Sequence, residues 1–196
     1  MTIAELYELR DRIDRILRQL ECNAGTGASG EYTSPAGVLH RFRFEGVKPL
    51  EEFRDSLLCL YVWVWSMKDY LKERAKVVGK DPRFIEGLVE SSLELQLVAD
   101  VANRSKHGAL SKSRSGRYAR LSEVKLSAPQ ESISRIRISA SGLDVTIADT
   151  ELVEYTASVL SDSGADLGSA RDILTTGMGV WELQAFRYVR PTLTSA

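Results

Sequence analysis

The densest chemistry in the sequence is Asp100-Val101-Ala102-Asn103-Arg104-Ser105-Lys106-His107-Gly108, where polar and titratable side chains crowd the end of a largely apolar helical stretch. On a helix Asp100, Asn103 and His107 fall at i, i+3 and i+7, on one face, and Asn103 lies one turn before His107. The helix dipole stabilises a histidine in the last turn as imidazolium, which suits it to general acid and base work near neutral pH, with Asn103 placed to orient the ring. The same residues also make a plain helix end, with His107 and Lys106 satisfying the last carbonyls ahead of Gly108. The spacing is compatible with both.

A run of cations adjoins this histidine. Arg104, Lys106, Lys112, Arg114, Arg117 and Arg120 occur with no Asp or Glu between Val101 and Ser122. Such a run can hold the phosphates of RNA or a nucleotide, with Tyr118 available for stacking, and it fits a solvated basic loop equally well. Asp69 follows Trp65 by one turn on the preceding helix; if the two helices are antiparallel it approaches His107 or Lys106, and otherwise it is a surface partner of Lys72 or Arg74. His40 lies apart, between Leu39 and Arg41.

Other motifs carry less. Gly25-Thr26-Gly27-Ala28-Ser29-Gly30 matches a dinucleotide-binding pattern, but that fingerprint needs a strand before it and a helix after it, and here a helical segment precedes the glycines. Cys22 and Cys59 form no CxxC pair and have no neighbouring histidine, so neither a disulfide framework nor a structural metal site is encoded.

The elements that would position these residues can be read from periodicity. Thr2 and Glu5 make a capping box, and Leu6, Leu9, Ile13, Ile16 and Leu20 form one apolar seam, suited to a bundle or to a twin helix in a homodimer. Asn23 to Gly37 reads as a Gly-rich loop, followed by an extended arm at Leu39–Phe44 where apolar residues alternate with His and Arg. A long central helix begins near Pro49 and runs to Gly79, apolar all round at Leu57–Trp65. A third helix is expected from about Arg83 to Gly108, packed antiparallel on the second. Alternating residues near 121–126, 133–139 and 143–148 predict a small antiparallel sheet, and helical spacing returns at Leu152–Val159 and near Ala170–Val189.

The expected organisation is an N-terminal amphipathic helix at 1–22, a Gly-rich loop and arm at 23–48, and a helical bundle at 49–190 with a β insertion at about 119–149. The fold class that follows is mainly α: an antiparallel helical bundle with a small antiparallel β insertion. At 196 residues, with 43% hydrophobic and 27% charged residues, the chain has an ordinary globular composition. Its net charge of −1 supplies no global attraction to nucleic acid or anionic membrane, so any such affinity is local. The N-terminus lacks the features of a signal peptide, and the longest apolar run falls short of the roughly 18 residues of a spanning helix; a cytoplasmic protein without membrane contact is expected.

The succession of Trp65-x-x-x-Asp69 on one long helix and Asp100-x-Ala102-Asn103-x-x-Lys106-His107 closing the next resembles uncharacterised bacterial proteins with a HEPN-like helical core, over roughly residues 40–190. That resemblance implies a dimerising helical bundle, and in many such proteins a metal-independent endoribonuclease of a toxin or defence system; others bind only nucleotides or protein partners. Their usual signature is Arg, four to six residues, then His, whereas Arg104 is separated from His107 by two. The resemblance implies His107 as base or acid on a ribose 2′-hydroxyl, Asn103 orienting it and Arg104 or Lys106 holding the phosphate, with no metal; the candidate catalytic set is then His107, Asn103, Arg104 and Asp100, with Lys106, Lys112, Arg114 and Arg117 of the basic run as phosphate contacts, Asp69 in support and no cofactor. The rival expectation is a non-catalytic dimeric interaction or regulatory module in which His107 and Lys106 cap a helix. A third is a small-ligand site beside Trp63 and Trp65.

Overall fold

The computed structural model describes residues 2–140 and 142–190. In chain order the elements are α1 (Ile3–Glu21), β1 (Ala28–Thr33), β2 (Leu39–Glu45), α2 (Leu50–Val77), α3 (Arg83–Ser91), α4 (Leu93–His107), β3 (Arg120–Leu121), β4 (Lys125–Ser127), β5 (Ile133–Ser139), β6 (Gly142–Ile147), β7 (Glu154–Thr156), β8 (Ser158–Leu160), β9 (Asp166–Ser169) and α5 (Ala170–Val180). The chain continues from α5 through a π-helical turn, Trp181–Ala185, into a last turn at Phe186–Tyr188. The strands form sheets of four, three and two strands. The fold is therefore mixed α/β, and the expectation of a mainly α bundle with a small β insertion is overturned.

Two local differences account for that correction, and a third divides one expected helix. The Gly-rich segment is not all loop: it contains β1, which pairs antiparallel with β2 from Ala28 opposite Phe44 to Thr33 opposite Leu39. Glycine is required there because the tip of the Phe42 ring presses on the Gly30 backbone, where a Cβ would stand 2.4 Å from Cζ. The stretch read as helical at Leu152–Val159 forms β7 and β8 instead. Buried Val153 and half-buried Tyr155 alternate with exposed Glu154 and Thr156, a period of two that the β-branched residues favour. The third expected helix is two, because Ser92 takes an extended conformation and its hydroxyl caps α4 by accepting from Leu95 N at 3.2 Å. Gln96 reaches back to the Val89 and Glu90 carbonyls and closes α3.

The chain divides into two compact units, and the division falls inside α1 and α2. Unit 1 comprises residues 1–17, 57–123 and 157–196. Its core draws Leu6, Leu9 and Ile13 from α1, Leu60, Tyr61, Val64 and Leu71 from α2, Leu95 and Val98 from α4, and Leu174 from α5, all buried. This part of the α1 seam is thus used within the chain. Two large polar-tipped rings are satisfied inside the core: Tyr61 Oη donates to Ala170 O at 2.7 Å, and Trp181 Nε1 to Val64 O at 3.1 Å. On the outside, Arg10 pairs with Glu182 at 2.7 Å. The sheet of this unit has the order β3-β8-β9.

Unit 2 comprises residues 18–56 and 124–156. Its main sheet has the order β1-β2-β6-β5, with β2 and β6 parallel and the other pairs antiparallel. Ala28, Val145 and Ile147 on one face of that sheet pack with Val47 and Val153 into a second, smaller core. Tyr155 lies beside it, stacked on Phe53 with ring centroids 4.7 Å apart and donating its hydroxyl to Lys48 O. Burial and the neighbouring Glu52 charge push the Tyr155 phenol up to about 12 despite that bond. Asn23 secures the segment before β7 by donating to Thr150 O and Val153 O. Among the described residues no helix is long and apolar enough to cross a membrane.

Candidate nucleic-acid interface

Asp100 is fully buried on α4, and its carboxylate organises the basic segment that follows the helix. It accepts from Ser113 Oγ, from Ser115 Oγ at 2.6 Å, from Arg114 N at 2.7 Å and from Ala119 N at 3.4 Å. The two serines in turn accept from the backbone: Tyr118 N donates to Ser113 Oγ and Arg117 N to Ser115 Oγ, each at 3.1 Å. A buried carboxylate without such donors would be strongly unfavourable, so the loop and the aspartate specify one another. Gly116, with φ 70°, and Tyr118, with φ 51°, supply the left-handed backbone that turns the loop around this centre.

The alternation of the loop sorts its side chains. In Ser111-Lys112-Ser113-Arg114-Ser115-Gly116-Arg117, half-buried Ser113 and Ser115 point toward Asp100, while Lys112, Arg114 and Arg117 are exposed. Arg104 ties the far end of the loop, donating from Nη2 to Tyr118 O at 3.1 Å and pairing with Asp162 at 3.3 Å. Asp162 N completes the tie by donating to Arg117 O. Gly108, with φ 75°, ends α4 by donating its N–H to Arg104 O, leaving Lys106 and His107 exposed.

The expected site residues therefore separate into three groups. Asp100 is a structural acceptor, already engaged by four donors. Arg104 and Arg114 are committed to contacts within the chain: the Arg114 guanidinium lies 5.0 Å from the Trp65 ring centroid and 3.3 Å from Glu86. Lys106, His107, Lys112 and Arg117 are exposed and have no ion-pair partner among the described residues. Asn103 is half-buried and makes no side-chain hydrogen bond to His107. Asp69 does not meet His107; it is 73% exposed and pairs with Lys68 at 3.5 Å.

Glu86 gathers the cations behind the loop. Lys72 donates to it at 2.7 Å, and Lys68 and Arg114 stand within 4 Å. Partial burial pushes the Glu86 carboxyl up, but the Lys72 hydrogen bond and the charges of Lys68, Lys72 and Arg114 outweigh this and hold it below its ordinary value. Lys68 also covers the Trp65 ring at 4.4 Å, and Arg12 covers Trp63 at 4.7 Å, so both indoles carry cations where a small ligand was considered. No group of three or more His, Cys, Asp or Glu able to hold a metal occurs among the described residues.

Sequence reasoning located Asp100 and the cations but missed Ser113, Ser115 and Asp162. The signal for the serines was present in the Ser-basic alternation of residues 111–115, which places one residue type on each side of an extended segment. Asp162 lies 58 positions from Arg104 and gives no local signal. No family model, no curated protein and no solved structure matches the chain.

Proposed function

We propose that the chain binds single-stranded RNA at the loop 111–118 and the adjoining end of α4. The observation that supports this most is the set of exposed, unpaired Lys106, His107, Lys112 and Arg117 beside a loop whose backbone is fixed on buried Asp100. Cations held by a fixed backbone lose less freedom on meeting a phosphate chain than cations on a mobile tail, so more of the Coulomb attraction appears as affinity. Exposed Tyr118 adds a ring on which an unpaired base can stack, which favours a single strand over a duplex.

Binding is favoured over cleavage because the groups that would complete a catalytic set are occupied or unaligned. Asp100 is engaged by the loop, and neither Asn103 nor Asp69 orients the His107 ring. In this reading exposed His107 serves as a further phosphate contact beside Lys106.

The test is fluorescence anisotropy with labelled mixed-sequence RNA in EDTA at two salt concentrations, with the same RNA run on a gel. Wild type should bind, with log affinity falling by about 0.7 per log salt for each phosphate engaged. Lys112→Ala with Arg117→Ala should weaken binding and reduce that slope by about 1.4. Absence of binding at low salt, or an unchanged affinity in the double variant, would refute the proposal. Cleavage lost specifically in His107→Ala would replace it with a ribonuclease.

A further inference from the structure

The four-stranded sheet of unit 2 ends in β5, which pairs with β6 on one side and with no described strand on the other. Its side chains alternate in an unusual way for an open edge. Ile136 and Ile138 share one face and are 58% and 84% exposed, while exposed Arg135 and Arg137 share the other. Edge strands are ordinarily blunted by charge, and here the charge occupies only one face.

Both faces continue across the sheet. In register, Ile138 lies beside Leu143 and Leu143 beside Phe42, so the exposed isoleucines extend the apolar face that lower down covers the core of unit 2. On the opposite face Arg41 is answered by Glu31 at 2.7 Å and Arg43 by Glu45 at 4.0 Å. Among the described residues Arg135 and Arg137 have no ion-pair partner, although Arg137 lies opposite Asp144 in register. Among the described residues the edge thus offers backbone groups without a strand partner, with exposed isoleucines and exposed arginines in alternation.

We infer that β5 is a docking edge for an extended acidic segment of a partner protein, added as a fifth strand whose alternate residues are apolar against Ile136 and Ile138 and acidic against Arg135 and Arg137. Strand addition supplies affinity from backbone hydrogen bonds and specificity from alternate side chains. Charge disfavours a second copy of this chain in the two pairings that align the exposed isoleucines. Antiparallel pairing of β5 with itself about Ile136 sets Arg135 against Arg137 of the other copy, and parallel in-register pairing sets each arginine beside its equivalent; like charges directly opposite are destabilising.

The probe is an acetylated, amidated, fluorescently labelled peptide, Thr-Glu-Ile-Glu-Ile-Glu-Thr, titrated with the full chain and compared with its lysine counterpart, Thr-Lys-Ile-Lys-Ile-Lys-Thr. Wild type should prefer the acidic peptide by about tenfold or more, and Arg135→Glu with Arg137→Glu should reverse the preference. That exchange alters only exposed side chains, and the gained binding of the lysine peptide shows that the variant is folded. Equal affinity for the two peptides, or a preference unaffected by the charge exchange, would overturn the inference. So would sedimentation showing a wild-type dimer that Ile138→Asp dissociates, since a second copy would then occupy the edge. RNA affinity lost in the charge-exchange variant would also overturn it and reassign these arginines to nucleic acid.

Discussion

The loop at 111–118 and strand β5 both carry a stretch of alternating exposed cations, Lys112 and Arg114 in one and Arg135 and Arg137 in the other, yet they leave the intervening residues in opposite states. In the loop, Ser113 and Ser115 turn inward and are satisfied by buried Asp100. In β5, Ile136 and Ile138 turn to a face of the sheet that leaves them exposed. The loop is a completed surface whose outward Lys112 and Arg117 are free for a solute while Arg114 is held by Glu86; the strand is an incomplete one that still has apolar area and backbone groups to pair. Equal charge density therefore implies different partners, and what lies behind the charge distinguishes them.

The largest effect that would break this comparison comes from Asp100. Replacing it by alanine strands the donors of Ser113, Ser115 and Arg114 around a cavity, and should cost roughly 3 kcal/mol of stability or more in chemical denaturation. A loss near zero would mean that the loop is not held from beneath. Gly30→Ala comes next: its Cβ would press into the Phe42 ring, an aromatic side chain packed in the sheet. The expected loss is about 1–3 kcal/mol, read from the same denaturation curves. Unchanged stability would show that the β1–β2 contact gives way easily.

Tyr155 tests unit 2 through pH. Its phenol is raised from 10.0 to about 12, so the folded state keeps a proton that the unfolded chain releases near pH 10. The stabilising contribution is complete below pH 10 and is lost as pH rises through about 12. Tyr155 should therefore titrate late in the ultraviolet absorbance, ahead of buried Tyr61, whose phenol burial raises further still, and Tyr155→Phe should remove the earlier of these late steps and reduce the alkaline fall in melting temperature. A Tyr155→Phe protein with the wild-type alkaline profile would contradict this. The smallest stability effect sharpens the contrast most: Lys112→Ala with Arg117→Ala should leave the melt within about 0.5 kcal/mol of wild type while weakening RNA binding. A large stability change would place those side chains in the fold rather than on its surface.

Local sequence signals predicted several features well. The Thr2–Glu5 capping box, the α1 seam, the central helix and the glycine stop of α4 all depend on residues within a few positions of one another, and each is present. Features set by distant partners were misread. β1 resembles loop because Gly30 and the glycines just before the strand carry no apolar signal of their own; Gly30 is explained by Phe42 on the neighbouring strand. β7 and β8 mimicked helical spacing because Leu152, Val153, Tyr155, Thr156 and Val159 satisfy both periods over so short a stretch. At the site, Asp100 was placed correctly on α4 but taken for a reacting group, because sequence does not reveal that Ser113 and Ser115 fold back onto it.

The most direct test of the central claim is the RNA affinity of Asp100→Asn beside that of wild type, with a thermal melt confirming that the variant is folded. This substitution keeps every cation of the loop and weakens only the acceptor that holds it. A fixed loop predicts RNA affinity reduced by about tenfold, the equivalent of one weakened anchor of roughly 1.4 kcal/mol. Wild-type affinity in the folded variant would contradict the claim that buried Asp100 prepares this surface for RNA.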